Sequence, residues 1–472
     1  MRRFDWRWLA VSSVLWTMVA GAQTRPQYGG TLRVTTHAAL TALDPADTSQ
    51  TDSVAHRSLM LMMFDTLVAI DENGRLQPAL ATSWQASSGG RRWQFRLRHG
   101  VKFDDGTPLT PEIAASSLRG ANSSWNVTAD GDSVAIESEA DNAQLPAELA
   151  LARNAIAKRG TDAKLSGTGP FHLIEWEPGK KLTLAANENY WGGRPFLDRI
   201  EIDASKSFRD QMTALELGKA ELVEVPPEQL HRLSSGLHSV SSQPAELLAL
   251  VFARDAASPE EKILRDALTL SIERSSIRSV LLQGAGDPAA SILPNWLSGY
   301  SFVFPTEADL PRARHDCEQV KATIHSIPAW SLGYDANDAQ ARLLAERVAL
   351  NARDAGIALQ PTTAAAADVR LTRIALSASD PWVALSSVAA MTGVTLPKSK
   401  DVSAKESSVE DLYAAEKTVL ATQRIIPLFH LPVSYATATD VTDFRVRADG
   451  SWDVSNAWLG NASLPSLGGH GR

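Results

Sequence analysis

Short apolar runs typical of β-strands alternate along this chain with amphipathic segments typical of helices, and no other feature restricts the fold as much. Thr31–Thr35 is a β-branched run preceded by two glycines, and Trp93–Leu97 alternates large apolar with polar residues, which predicts two strands. Thr110 can cap a following helix that has Pro111 as its first residue. Because strand, turn and helix then recur, the chain is predicted to build mixed α/β layers.

The recurrence extends through the rest of the chain. Later strands are predicted at Lys181–Ala185, Ile200–Ile202, Leu222–Val225 and Ile357–Gln360. Ser258 and Glu261 form a capping-box pattern that opens a helix. The residues of this helix predicted to face inward are Ile263, Leu264, Ala267 and Leu268. Asp338–Ala355 is a further amphipathic helix. Between residues 122 and 164 the pattern weakens.

The length and composition allow at least two substantial hydrophobic cores. At 472 residues the chain exceeds a typical single domain. Hydrophobic residues make up 44% and charged residues 21% of the chain, which is typical of a soluble globular protein and too mixed for a membrane bundle. The formal net charge of -8 disfavours a polyanionic partner such as nucleic acid.

The first 22 residues have the layout of a secretory signal peptide. Arg2 and Arg3 precede the apolar run Trp8–Ala20, and a small-residue end suits cleavage after Ala22. A retained membrane anchor is the alternative, but the run is shorter than the ~20 apolar residues that span a bilayer. Since no cysteine lies near the cleavage point to carry a lipid, we expect a freely diffusing periplasmic protein.

The chain lacks the residue patterns of common catalytic and metal sites. Its histidines include no His-x-x-x-His pair, and it has no Gly-x-Ser-x-Gly elbow, Walker loop or Gly-x-Gly-x-x-Gly turn. The single cysteine, Cys317, excludes intramolecular disulfides and thiolate metal clusters. Asp104 and Asp105 could act as the paired carboxylates of a hydrolase, but beside Gly106 they are more simply turn formers. We therefore predict no enzyme activity, no cofactor and no metal site.

An ordered series of short motifs resembles one family of binding proteins. The motifs are Tyr28–Val34, Leu43–Ala46, Phe64–Val68, Leu80–Trp84, Leu97–Thr110, Gly167–Phe171, Asn187–Pro195, Arg265–Arg274 and Ile425–His430. In this order they are similar to the dipeptide, oligopeptide and nickel type of extracellular solute-binding proteins, family 5, which are the substrate-binding components of ABC importers. The similarity covers nearly the whole mature chain.

That resemblance implies a periplasmic-binding-protein fold of the class C type, in which an α/β architecture holds a ligand cleft between two lobes. The first lobe is expected to be discontinuous, with residues 23–251, a reduced accessory subdomain at about 50–165, and a return at 425–460. The second lobe is expected at 252–424 and a flexible tail at 461–472. The implied partners are a small-molecule or peptide ligand and ABC transporter permease subunits, with the protein itself a monomer.

One departure from the family pattern bears on the ligand. Peptide-binding members hold the amino terminus of the ligand with an aspartate close ahead of an Asp-Pro pair. Here Asp380 and Pro381 are present, but the stretch Leu376–Ser379 contains no aspartate. The resemblance therefore does not specify a ligand with a free α-amino group.

Six residues are candidates to line the cleft. They are Thr36, His37, Trp296, Tyr300, Asp380 and Trp382. Polar groups and aromatic faces of this kind suit a cleft that excludes water. Each also has a structural alternative: a strand-end surface for the first two, core packing for the aromatic residues and a helix or turn cap for the aspartate.

The leading functional hypothesis is a periplasmic protein that captures a peptide-like or other small polar solute and delivers it to an ABC transporter permease. An orphan receptor or chaperone-like binding protein without a transporter is the alternative. A secreted hydrolase acting through Asp104 and Asp105 is the remote alternative.

Overall fold

The structure is a computed structural model that describes residues 25–460 except 48, 50–51, 88–89, 161–163, 235, 301–303, 325–326, 378–379, 395 and 397–408. The predicted signal peptide at 1–22 and the predicted tail at 461–472 lie outside these ranges.

Helices and strands alternate along the described chain. The helices are α1 Val54–Met63, α2 Pro111–Ala121, α3 Leu145–Glu148, α4 Phe208–Glu216, α5 Pro259–Ser271, α6 Arg274–Val280, α7 Asn295–Ser298, α8 Leu310–Ile324, α9 Ala339–Asp354, α10 Pro381–Met391 and α11 Val409–Leu420, with short 3-10 turns at Ala152–Asn154 and Pro227–Arg232. The strands are β1 Thr31–Thr35, β2 Val68–Ile70, β3 Leu76–Pro78, β4 Ala81–Ala86, β5 Arg92–Leu97, β6 Asn126–Asp130, β7 Ser133–Glu137, β8 Lys158–Arg159, β9 Leu165–Ser166, β10 Phe171–Glu177, β11 Lys181–Ala186, β12 Arg199–Asp203, β13 Leu222–Glu224, β14 Leu237–Phe252, β15 Asp287–Pro288, β16 Trp330–Gly333, β17 Leu359–Thr362, β18 Val369–Ala375, β19 Ile425–Ala438, β20 Val441–Thr442, β21 Arg445–Val446, β22 Trp452–Asp453 and β23 Trp458–Leu459.

The largest sheet extends through both halves of the molecule. Its strands follow the order β10-β11-β12-β1-β13-β19-β14-β18-β16-β17, with β15 paired to β19. Strand β1 lies parallel to β12 and β13, and β16 lies parallel to β17 and β18. Helix α4 connects β12 to β13, and α9 connects β16 to β17, as the crossover between parallel strands requires. The predicted α/β fold class is confirmed.

The buried side chains form separate cores toward the two ends of this sheet. The first lobe has a core in which Leu32 of β1, Leu59 of α1 and Ile200 of β12 pack together with Trp452 of the C-terminal segment. This lobe is therefore discontinuous in sequence. The second lobe covers both faces of its strands with helices. Alternate residues of a strand point to opposite faces, so β14 contributes to two cores, one with α5, α8 and α9 and one with α10 and α11.

Two long antiparallel strands, β14 and β19, pass from one lobe to the other, and we call them the crossing strands. Strand β19 pairs with β13 in the first lobe, whereas β14 pairs with β18 in the second. Their mutual pairing is irregular between Ser241 and Glu246, where Pro244 stands opposite Pro432. The two-lobed architecture is thus built around one continuous ribbon, and the residue limits given above for the lobes stay a prediction.

A smaller sheet forms an additional layer beside the first lobe. Its strand order is β4-β5-β7-β6, and helix α2 packs on it through a core that contains Phe95, Leu118 and Ile136. Thr110 caps α2 as predicted, since its hydroxyl accepts a hydrogen bond from the Ile113 N–H at 3.4 Å. The hairpin of β6 and β7 lies in the stretch where the sequence pattern weakens.

The Gly167–Phe171 motif lies directly against the end of α1. A Cβ on Gly167 would lie 1.8 Å from the carbonyl oxygen of Met63, and one on Gly169 would lie 2.5 Å from that of Met62. Between the two glycines, Thr168 donates its hydroxyl to Asp65 at 2.9 Å. The close approach of two backbones therefore requires glycine at both positions of this motif.

Helix α5 differs in two details from its prediction. The Ser258 hydroxyl accepts from the Glu261 N–H at 3.2 Å, which confirms the N-cap, but the Glu261 carboxylate accepts from the N–H of Ala257 rather than from that of Ser258. The prediction that Ile263 faces inward is wrong, because its side chain is 37% exposed. The other three residues predicted to face inward, Leu264, Ala267 and Leu268, do lie in the core, and helical periodicity turns Ile263 toward solvent.

Candidate functional site

A cavity of about 650 Å³ lies between the two lobes. Residues of the first lobe, of the second lobe and of the crossing strands all contribute to its lining. Its volume falls in the range of roughly 300–1,000 Å³ that is usual for small-molecule sites. We call this cavity the cleft.

The first-lobe wall of the cleft is formed by residues at the ends of parallel strands. His37 and Ala38 come just after β1, Glu224 ends β13, and Phe208 begins α4. Because β1 and β13 are parallel neighbours, their carboxyl ends meet at one edge of the sheet. That edge is the usual ligand-binding position in open α/β sheets.

The second-lobe wall repeats this arrangement from the other side. Tyr334 and Asp335 come just after β16, and Arg373 lies on β18. Asp338 caps α9, with its Oδ1 accepting from the N–H groups of Gln340 and Ala341 at 2.9 and 3.1 Å. The crossing strands close the cleft between the walls.

His37 connects the two walls. Its Nε2 lies 3.0 Å from Oδ2 of Asp335 in the other lobe, and its ring stacks on Phe208 with 4.7 Å between ring centroids. Its backbone N–H donates to Oε2 of Glu224 at 2.5 Å. The hydrogen bond with Asp335 raises the pKa of His37 and lowers the pKa of Asp335. When His37 is protonated, the pair is an ionic contact across the cleft.

Arg373 faces several carboxylates at once. Its Nη1 lies 3.6 Å from Oε2 of Glu246 and its Nη2 lies 3.7 Å from Oδ2 of Asp338, and both distances exceed that of a normal hydrogen bond. Burial lowers the pKa of Arg373, but Glu246, Asp338 and Glu228 outweigh burial and raise it. Burial also raises the pKa of the carboxyls of Glu224 and Glu228. The cleft therefore holds carboxylates that one guanidinium does not satisfy.

Arg57 makes another contact between the lobes. From α1 it donates to the carbonyl oxygens of Ala375 and Leu376 at the end of β18, at 2.9 and 2.8 Å. It also binds both carboxylate oxygens of Asp52, at 2.8 and 2.6 Å. Burial lowers the pKa of Arg57, but Asp52 outweighs it and the pKa is raised. The lobes are thus held at this end of the cleft by a buried charged group that makes four hydrogen bonds.

Of the six residues predicted to line the cleft, His37 is the one that the structure places among its lining residues. Its neighbour Thr36 is buried, with its hydroxyl donating to the carbonyl oxygen of Ala38 at 3.3 Å. Trp296 lines a different cavity, of about 320 Å³, that also includes His430. The indole N–H of Trp296 donates to the carbonyl oxygen of Pro244 at 2.9 Å.

The remaining three predicted residues belong to the second lobe. The Tyr300 hydroxyl donates to Oε2 of the fully buried Glu416 at 2.5 Å. Asp380 caps α10 by accepting from the N–H groups of Trp382 and Val383 at 2.8 and 3.1 Å. Trp382 packs against the core around α10 and α11. A ligand-binding role for these residues stays a prediction.

The charged residues of the cleft were not among the sequence-based candidates. Three of them, Glu224, Glu246 and Arg373, lie on separate strands, whereas Asp335 follows β16 and Asp338 caps α9. Asp338 could have been found from the sequence, because an aspartate directly before an amphipathic pattern is typical of a helix cap. Such a cap lies at the junction of a strand and a helix, where ligands often bind. For the others, only the assembled sheet brings the carboxylates together.

Asp104 and Asp105 were considered above as the paired carboxylates of a hydrolase. Asp105 accepts from the Thr107 N–H at 2.9 Å and pairs with Lys158, so it supports the turn that contains it. Within the described ranges, no group of three or more His, Cys, Asp or Glu side chains could hold a metal ion. In the same part of the chain, no helix is both long and apolar enough to cross a membrane.

The fold and the cleft together define a two-lobed solute-binding protein. The family model described as "Bacterial extracellular solute-binding proteins, family 5 Middle" matches residues 75–384. The chain therefore belongs to the bacterial extracellular solute-binding proteins, family 5, and the resemblance inferred from its motifs is confirmed. Proteins of this family are periplasmic or extracellular binding proteins.

Two relatives illustrate the range of this similarity. The nickel-binding periplasmic protein of Escherichia coli is 26% identical over 303 residues, which cover 57% of this chain and 56% of that protein. The oligopeptide-binding protein AppA of Bacillus subtilis is 24% identical over 333 residues, covering 64% of this chain and 60% of AppA. The sequence match thus spans less than two thirds of either relative.

Solved structures match over a larger part of the chain. The structure of AppA from Bacillus subtilis in complex with a nonapeptide has a TM-score of 0.80 and 19% identity, covering 92% of this chain and all of AppA's. NikA from Staphylococcus aureus in complex with Ni(L-His)2 has a TM-score of 0.77 and 18% identity, covering 91% of this chain and 99% of that chain. At such low identity these neighbours establish the fold alone.

Proposed function

We propose that this protein captures a small polar solute in its cleft and delivers it to the permease subunits of an ABC transporter. The observation that carries the proposal is the cavity of about 650 Å³ between two lobes that are joined by the crossing strands. A cavity so placed can open and close by movement of one lobe against the other.

The contacts between the lobes support a closing motion. The His37–Asp335 pair and the hydrogen bonds of Arg57 to the end of β18 both form only when the lobes lie close together. A closed pair of lobes presents a surface to the membrane that differs from that of the open pair. We propose that permease subunits recognise the closed form of this monomeric, periplasmic protein.

The binding role needs no bond chemistry. A cleft that excludes water strengthens the few polar contacts within it, so charged groups from both walls suffice to hold and orient a solute. The family relationship supports binding rather than catalysis, since the similar proteins are named for the nickel and oligopeptides that they bind. A peptide-like solute is therefore one candidate among several small polar ligands.

Native mass spectrometry of the protein purified from its own periplasm tests this proposal. We expect a mass increment from a retained solute, and we expect that solute to raise the thermal unfolding temperature of the emptied protein. A protein that carries no solute and shows no thermal shift with peptides, sugars or metal chelates would overturn the proposal. That outcome would favour a receptor or chaperone-like role without a transporter.

A further inference from the structure

We infer that the solute bound in the cleft is a small organic cation, with an ammonium or guanidinium group held between the crossing strand β14 and the start of helix α9. This inference rests on the proposed function and deepens it, because it assigns a charge to the ligand. Glu246 and Asp338 are the residues to which we assign recognition of the cationic group.

The first argument is the imbalance of charge around the cleft. Its lining residues include five carboxylates, Asp52, Glu224, Glu246, Asp335 and Asp338, and two guanidinium groups, those of Arg370 and Arg373, with His37 beside them. Some of these charges are already satisfied. Asp52 is paired with Arg57, and His37 is paired with Asp335. Arg370 donates through Nη1 to the carbonyl oxygens of Ala364 and Ala365, both at 2.9 Å, and its positive charge acts on Asp335.

The charges of the second-lobe wall that are not paired in this way are those of Arg373 and the carboxylates around it. Glu246 and Asp338 lie 3.6 and 3.7 Å from its guanidinium nitrogens, and Glu228 also acts on its charge. Glu228 is only 4% exposed, and its Oε1 has no hydrogen-bond partner among the described residues. Glu228 lies outside the lining of the cleft, so Glu246 and Asp338 are the lining carboxylates that share the guanidinium of Arg373.

Glu224 adds to the deficit from the first-lobe wall. Its carboxylate accepts from the His37 N–H and, at 3.4 Å, from the side chain of Gln211, and both donors are uncharged. The carboxylate of Glu246 lies close enough to raise the pKa of Glu224 further, after burial, which is the main cause. Removing water from such a set of like charges is unfavourable, and a cation that enters the cleft relieves it.

The second argument is the kind of cation that the cleft can accommodate. Leu248, Leu344, Val54 and Pro226 contribute apolar surface to its lining, which suits a hydrocarbon stem. Tyr334 adds an aromatic ring of the kind that attracts organic cations. Since no group of metal ligands occurs among the described residues, the surroundings favour an organic cation over a bare metal ion.

The test uses probes that share a five-carbon chain and carry different charges. Isothermal titration of the full-length mature protein would compare cadaverine, 5-amino-1-pentanol, 1,5-pentanediol and glutarate. We expect the two amines to bind more tightly than the diol and glutarate. Preference for a neutral or acidic member would overturn the inference and leave the proposed function standing.

Variants then locate the cation. We expect Glu246→Gln and Asp338→Asn each to weaken binding of the best cation by about ten-fold, the size expected for loss of one charge-assisted hydrogen bond. Asparagine still caps a helix, so Asp338→Asn keeps α9 intact. Glu216→Gln, on the exposed face of α4, is the control and should leave binding unchanged.

The failures are distinguishable. Cation binding that survives both cleft variants unchanged would overturn the assignment to Glu246 and Asp338. Failure of every probe, together with a solute-free protein in native mass spectrometry, would overturn the proposed function itself. A co-purified solute that is neutral or acidic would overturn the charge assignment alone.

Discussion

Nε2 of His37 and Oδ2 of Asp335 lie 3.0 Å apart although the two residues belong to different lobes. His37 follows β1 and Asp335 follows β16, so their separation depends on how the lobes are placed relative to each other. The carboxylates of Glu224 and Asp338 also act on the imidazole, and its ring is covered by Phe208. The pair therefore couples protonation of one histidine to the contact between the two lobes.

Closure should weaken as the pH rises through the raised pKa of His37. Protonated His37 is stabilised by Asp335 only when the lobes are close, so this stabilisation is complete below the ordinary pKa of 6.5 and is lost above the raised value. Small-angle scattering of the solute-free protein at about pH 5.5 and about pH 9, on either side of that range, measures the change in radius of gyration. We expect His37→Gln to abolish the pH response, and an equal response in the variant would contradict the prediction.

Asp65 should make the protein less stable as the pH rises. Thr168, Tyr190 and Trp191 donate to its carboxyl, yet burial raises the pKa of Asp65 to about 6. The folded protein retains a proton that the unfolded chain releases, so the penalty grows from about pH 4 and reaches about 3 kcal/mol above pH 6.

Urea unfolding of the Asp65→Asn variant checks this pH dependence. The variant's free energy of unfolding minus that of the wild type should be larger at about pH 7.5 than at about pH 5. The reason is that only the wild type carries the buried charge at the higher pH. Glu216→Gln, which alters an exposed carboxylate, should show no such change. A difference between Asp65→Asn and the wild type that is equal at both pH values would contradict the prediction.

Arg265→Met should destabilise the second lobe far more than Arg342→Met, although both arginines pair with a glutamate one helical turn later or earlier. Arg265 is 1% exposed, lies 2.6 Å from Glu261 and covers the ring of Phe252, whereas the pair of Arg342 with Glu346 lies in solvent. We expect losses of about 3 kcal/mol and less than about 0.5 kcal/mol in the free energy of unfolding. Similar losses in urea titrations would show that burial does not set the difference.

Tyr300→Phe distinguishes a structural role of Tyr300 from its predicted role in ligand binding. Its hydroxyl donates to the buried Glu416, which also accepts from the Leu293 N–H at 3.0 Å. Removing the donor should lower the free energy of unfolding by about 1–3 kcal/mol. We expect the Kd of the co-purified solute to stay unchanged, and a weaker Kd at unchanged stability would instead support the ligand-binding role.

The fold could be predicted where the signal is local. Thr31–Thr35 is a strand and Thr110 is a cap because propensity, turn chemistry and periodicity agree over a few residues. The hairpin of β6 and β7 was missed because β6 buries only Val127, which leaves no clear alternation. The Gly131-Asp132 pair that forms its two-residue turn, with Gly131 at a φ of 61°, was the signal that could have revealed it.

The cleft could not be predicted in the same way, because its charges converge only after the lobes are assembled. Glu246 lies opposite Leu431 in the crossing strands, and Arg373 reaches it from β18. Nothing in the sequence spacing of Arg373 and Asp338 predicts that this strand residue and this helix cap lie close together. His37 was found because it comes just after a strand, which is a position that ligands favour in α/β sheets. Trp296 was selected for its aromatic face and Asp380 for its place in the Asp-Pro pair of the family pattern, and the structure places neither among the lining residues.

The paired prolines of the crossing strands have a mechanical consequence. Pro244 and Pro432 face each other, and neither carries an N–H, so this rung of the ladder has no backbone donor on either side. We therefore expect the ribbon to bend easily at this rung, next to Glu246 and Val433 of the cleft. Bending there would change the separation of the walls while the hydrogen-bonded ladders within each lobe stay intact.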